Sequence, residues 1–107
     1  LLGIKSNHIF CNSFIKKQDD YKLNKKNIMA NNLGKVEVVK NLNLNGTVIV
    51  VGDGYTDYEI KKHGFASKFI QYTENINREE LNINADFISK DLHEALLYIN
   101  KIYQNEE

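Results

Sequence analysis

Val48-Ile49-Val50-Val51-Gly52-Asp53-Gly54-Tyr55-Thr56-Asp57 decides how this chain is read. Four β-branched apolar residues run directly into a Gly-Asp-Gly turn. Such a run reads as a buried strand of a parallel sheet, and the glycines read as the turn that ends it. Asp53 and Asp57 sit four residues apart where the strand hands over to the next element. In an open α/β sheet that carboxyl edge is where ligands bind. Two carboxylates together there need a cation or a proton. A hard ion such as Mg²⁺ meets the need, because it takes few protein carboxylates and keeps waters for a substrate phosphate. Asp53 is the expected direct ligand. Asp57 is expected to hold a metal-bound water or to anchor the loop. The plain alternative is an Asp-Gly turn with Asp57 capping a helix, a common signal by itself. The buried strand and the second aspartate favour the metal site.

Working outward, strands and helices alternate. Tyr55 to His63 reads as a short helix ended by Gly64, and Lys68 to Tyr72 as the next strand. Thr73 to Asn84 reads as a loop with a helical turn near Arg78–Leu81, and Ala85 to Ser89 as a short strand. Asp91 is a fair N-cap for a final helix from Leu92 to Tyr103. Its apolar stripe is Leu92, Ala95, Leu96, Ile99 and Tyr103. Gly34 to Leu44 fits both periods. A parallel strand at Val48 needs a crossover element before it, so the segment is assigned as a helix ended by Asn45-Gly46. His8 to Ile15 reads as a strand, followed by a polar hairpin or excursion over about residues 16–29. The pattern predicts an α/β fold with a parallel sheet and flanking helices.

The chain has 107 residues, enough for one small domain or part of a larger one. Fourteen Lys and Arg balance fourteen Asp and Glu. That balance implies no basic face, so neither nucleic acid nor an anionic membrane is an expected partner. No apolar run is long enough to span a bilayer. Leu1-Leu2-Gly3-Ile4-Lys5 lacks the apolar stretch of a signal peptide. Cys11, the single cysteine, cannot form an internal disulfide, which suits a reducing cytoplasm.

The remaining chemistry-bearing residues read more simply. Lys35, behind Gly34 at the start of a helix, could neutralise phosphate oxygens and an acidic nucleophile. By itself it reads as solvated surface charge. His8, His63 and His93 lack ligand spacing, and Cys11 reads as a small apolar filler. Asp19-Asp20 reads as solvated, and Tyr21, Tyr58, Tyr98 and Tyr103 as packing or helix-face residues. Arg78, the only arginine, could grip a carboxylate or phosphate, or serve as a surface ion-pair partner.

Taken in order, these motifs resemble the haloacid dehalogenase superfamily of phosphohydrolases, and the phosphoserine phosphatases most closely. Lys35, followed by Val38-Val39-Lys40, resembles the third motif of that family. Gly52 to Asp57 resembles its fourth, written GDGxTD in one branch. Phe10-Cys11-Asn12 resembles a strand placed before a hairpin. Lys68-Phe69-Ile70, Asn75 to Arg78, Ala85 to Ile88 and Asp91-Leu92 follow its C-terminal order.

The resemblance implies a Rossmann-like core and a Mg²⁺-dependent two-step phosphomonoester hydrolysis through an aspartyl phosphate. It implies Asp53 as metal ligand, Asp57 as support for the metal shell, and Lys35 as contact to phosphate and nucleophile. Gly52 and Gly54 would shape the loop. Thr56 and Arg78 would touch substrate. The expected partner is a small phosphorylated metabolite, phosphoserine first, as in serine biosynthesis. The family's first motif, DxDxT or DxDxV, its second-motif Ser or Thr and its helical cap are absent from these residues. The chain is therefore expected to be the C-terminal part of such a core domain, inactive alone. Its open sheet edge would be covered by a missing N-terminal half, a partner chain or self-association. The competing expectations are a phosphatase of this superfamily for another metabolite, and a non-catalytic domain that keeps the fold.

Overall fold

Parallel strands cannot be joined by tight turns, so each crossover here carries a helix or a long loop. The computed structural model describes residues 2–106; Leu1, counted above in the leader reading, lies outside them. The strands are β1 (Phe14–Lys17), β2 (Asp20–Leu23), β3 (Ile49–Gly52), β4 (Lys68–Tyr72) and β5 (Phe87–Ser89). The helices are α1 (Gly34–Leu42), α2 (Tyr55–Lys62) and α3 (Leu92–Glu106). Short 3₁₀ turns cover Ser6–His8, Ile28–Ala30 and Glu79–Asn84.

The main sheet has the order β3-β4-β5, and both pairings are parallel. Gly52 pairs with Gln71, and Ile70 pairs with both Val51 and Phe87. Side chains alternate between the two faces. Phe69 meets Tyr58 of α2 at 5.8 Å between ring centroids, and α1 packs beside α2. On the opposite face Phe87 stacks on Tyr98 of α3 at 4.5 Å. Helices therefore flank both faces of a parallel sheet, as the apolar runs predict. The core is formed by Val36, Val38, Ile60, Phe69, Ile70, Leu81 and Ala95. Asp86 ties the layers together: one carboxylate oxygen accepts from Lys61 Nζ at 2.7 Å and from the Phe69 N–H at 2.8 Å.

Five expectations need correction. The strand expected over His8 to Ile15 is a 3₁₀ turn followed by irregular chain, and only Phe14 and Ile15 enter β1. Alternation alone supplies no partner strand, and none of the described strands lies beside residues 9–13. Cys11 in that stretch is exposed and fills no core. α1 ends at Leu42 because Asn43 takes the left-handed conformation (φ 50°), ahead of the expected Asn45-Gly46 stop. In α3 the packed residue is Ala95, with Tyr98 stacked on Phe87, while Leu92, Leu96 and Tyr103 are exposed. The sheet is too narrow to cover the whole stripe.

β1 and β2 form the expected excursion as an antiparallel hairpin that starts at Phe14. All of its strand residues are exposed, and its strands pack chiefly on each other. Tyr21 is therefore a surface ring and not a packing residue.

Candidate functional site

The site starts with two glycines that no other residue could replace without movement. A Cβ on Gly34 would strike the Ile28 carbonyl oxygen and lie 3.0 Å from Met29 Cα. α1 thus begins pressed against the Ile28–Ala30 turn, which fixes where Lys35 emerges. A Cβ on Gly52 would strike the Asp57 carboxylate and lie 2.6 Å from Asp57 Cβ. The missing side chain at the end of β3 is the space that Asp57 fills.

Asp57 stands in the first turn of α2 and is only 15% exposed. One oxygen accepts from Lys35 Nζ at 2.7 Å, across 22 residues of sequence. The other accepts the Gly54 N–H at 3.2 Å, while the Asp57 N–H donates to the Gly54 carbonyl at 3.1 Å. The carboxylate thus satisfies an orphan donor at the helix start and suits the positive end of the helix. Both roles considered for Asp57 other than metal shell, loop anchor and helix cap, are filled by the same side chain.

Asp53 differs. It is exposed on the Gly-Asp-Gly turn, and its carboxylate makes no hydrogen bond among the described residues. Its charge reaches Tyr72 at the end of β4. A hydrogen bond to Glu74 chiefly raises the Tyr72 phenol above its ordinary pKa, with smaller contributions from desolvation and from the charges of Glu74, Asp91 and Asp53. Asp53 follows directly on Gly52, the last residue of β3, and so lies at the carboxyl edge of the sheet, where the parallel strands end.

A cleft of about 380 Å³ opens beside Lys35. Asn12, Asn31, Asn32, Thr56 and Glu59 line it with Lys35. The structure brings Lys35, Thr56, Asp57, Gly52 and Gly54 together, with Asp53 on the same turn. Arg78 is not part of the cleft lining; it lies on the loop after β4, where its carbonyl accepts from Gln71 Nε2 at 3.1 Å. Asn12 and Glu59 were not anticipated. Glu59 could have been found as the residue three beyond Thr56, on the same helical face. Asn12 could not, because no local pattern reports which loop folds over a helix start. A larger concavity of about 680 Å³ runs along the hairpin and touches none of these residues.

The donor set can be tested against a hard divalent ion. Both Asp57 oxygens already have protein partners, so Asp53 alone offers a free carboxylate on this turn. Among the described residues no cluster of three or more His, Cys, Asp or Glu could cage a metal. Mg²⁺ binds through one or two carboxylates with waters and substrate phosphate, so Asp53 fits as one donor of a shared site.

No protein-family model and no curated protein matches the chain. Among solved structures it is similar to a phosphoserine phosphohydrolase-like protein from Francisella tularensis subsp. tularensis SCHU S4, with a TM-score of 0.77 and 33% identity. The match covers 90% of this chain and 45% of that one. The fold is of the haloacid dehalogenase type. The chain spans less than half the length of that relative. Among the described residues no helix is long and apolar enough to cross a membrane.

Proposed function

We propose that the chain is the C-terminal part of a Mg²⁺-dependent phosphomonoester hydrolase of the haloacid dehalogenase superfamily, with phosphoserine as substrate. The observation that carries this reading is the Lys35–Asp57 pair, 2.7 Å long, set beneath the turn that presents Asp53 at the carboxyl end of β3. The likeness to a phosphoserine phosphohydrolase-like protein over 90% of the chain supports it.

In this reading the Asp57 carboxylate holds the Lys35 ammonium at the cleft wall. The ammonium then faces phosphate oxygens already oriented, and it lowers the cost of gathering negative charge there. The Thr56 hydroxyl on the same wall donates a hydrogen bond to the phosphate. Asp53 supplies a carboxylate oxygen to Mg²⁺, and the bound ion offsets repulsion between an anionic nucleophile and the phosphate. The nucleophile is an aspartate outside these residues, so hydrolysis proceeds in two steps through a phosphorylated enzyme. Arg78 contacts the substrate's far end or the part of the protein that closes over it. The enzyme works in the cytoplasm.

The test is a panel of small phosphomonoesters assayed with the full-length protein and Mg²⁺. Phosphoserine should give the highest kcat/KM, and chelation should abolish turnover. A higher kcat/KM for another metabolite would keep the reaction class and overturn the substrate. No hydrolysis of any member would overturn the reading in favour of a non-catalytic domain.

A further inference from the structure

The β1–β2 hairpin is the least explained part of the molecule. A two-stranded hairpin alone is marginally stable in water. This one exposes Phe14, Ile15, Tyr21 and Leu23, and its strands pack chiefly on each other. Among the described residues its backbone leaves two edges open, and the register shows what each edge offers.

Phe14 pairs with Leu23, Ile15 with Lys22, Lys16 with Tyr21 and Lys17 with Asp20. The Asn24 N–H donates to the Ser13 carbonyl at 2.8 Å, which fixes the alternation along the ladder. Ile15–Lys22 and Lys17–Asp20 are then the hydrogen-bonded pairs. The N–H and C=O groups of Tyr21 and Leu23 point outward from β2, and those of Phe14 and Lys16 outward from β1. The Tyr21 N–H is met by its own neighbour, the Asp20 carboxylate, at 3.0 Å.

We propose that β2 pairs antiparallel with β2 of a second copy of this chain, about a twofold axis at Tyr21. Tyr21 then exchanges both backbone hydrogen bonds with the second copy's Tyr21. Asp20 leaves the Tyr21 N–H and faces the second copy's Lys22, and Lys22 faces the second copy's Asp20. These two opposite-charge pairs fall on the non-hydrogen-bonded positions, where cross-strand side chains come closest. Lysine on an edge strand ordinarily blocks such pairing. Here the alternation Asp20-Tyr21-Lys22 makes the edge its own complement, as a twofold interface requires. The β1 edge has no such property, because it carries Lys16 and Lys17 and no acid. On the other face the pairing joins Phe14, Leu23 and Tyr21 of both copies into one apolar strip, with Lys16 Nζ 5.9 Å from the Tyr21 ring. Strands this short bury less than the roughly 1,200–2,000 Å² of a permanent interface, so the dimer is concentration-dependent.

Charge reversal tests this on the full-length protein, with mass measured by light scattering across a concentration series. Wild type should dimerise. D20K sets lysine against lysine, K22D sets aspartate against aspartate, and each should weaken dimerisation roughly ten-fold or more. Mixing the two single variants re-creates both opposite-charge pairs, so the mixture should dimerise as wild type does. So should the double variant D20K/K22D. Rescue on mixing also shows that the single variants are folded. A monomeric wild type, which would leave the hairpin to the remainder of the same chain, overturns the proposal. So does a dimer indifferent to both reversals, or a loss that mixing does not restore.

Discussion

Gly52 and Asp57 occupy one space between them, and that sharing links the sheet edge to the charge pair. Gly52→Ala puts a methyl group against Asp57 Cβ and its carboxylate, so the first turn of α2 must shift. The expected cost is about 1–3 kcal/mol in chemical denaturation, with loss of the 2.7 Å contact to Lys35. Lys35→Met behaves differently. The lysine is 40% exposed, so its removal should cost about 1 kcal/mol or less of stability. Phosphatase turnover of the full-length protein should nonetheless fall about 100-fold or more, since an aligned cation acts chiefly in the transition state. Equal small losses in both quantities would make Lys35 a merely structural residue. Asp53 and Asp57 were legible at this scale because a hydrophobic run points at them. The Lys35–Asp57 pair was not, because the two residues are 22 apart in sequence and only the fold against Ile28–Ala30 brings them together.

Among the elements, β4 matches its sequence reading residue for residue, because its apolar content and bounding polar residues agree. α3 was legible as a helix, and Asp91 does cap it: its carboxylate accepts the Glu94 N–H at 2.8 Å. Asp91→Ala should lower stability by about 1 kcal/mol. Its orientation was not legible, since Phe87–Tyr98 stacking turns Ala95 inward and leaves Leu92 and Leu96 outside. The link from α2 to the sheet carries a pH signature. Burial pushes the Asp86 carboxyl up, but hydrogen bonds from Lys61 and the Phe69 N–H, with the Lys61 and Lys68 charges, together hold it below its ordinary 3.8. A carboxyl depressed in the folded state contributes stability that is present above the unfolded pKa and lost as pH falls through the folded one. Stability should therefore fall below about pH 4, and Asp86→Asn should flatten that part of the profile. An unchanged acid limb in the Asn variant would remove Asp86 as its source.

On the scale of the whole molecule, the parallel sheet leaves one side of β3 unpaired among the described residues. Val51 on that strand is 39% exposed, although its sequence reads as buried. The discrepancy is physical: a near-continuous apolar run suits a strand covered on both sides, and among the described residues β3 has a neighbour on one side only. Fold class was legible from the alternation of periods, but the covering of this edge was not. Amide exchange offers a direct check. In the 107-residue chain alone the β3 amides that face away from β4 should exchange rapidly, and in the full-length protein they should be protected. Equal exchange in both would mean that nothing further pairs with β3.

If the turn after β3 is the catalytic phosphate and metal site proposed above, phosphoserine turnover by the full-length protein should depend on Asp53, and Asp53→Asn tests this. Asn keeps the size of an exposed side chain and removes only its charge, so folding should be unchanged. In the variant kcat should fall about 100-fold or more, with Mg²⁺ required at higher concentration. Turnover equal to wild type would contradict it.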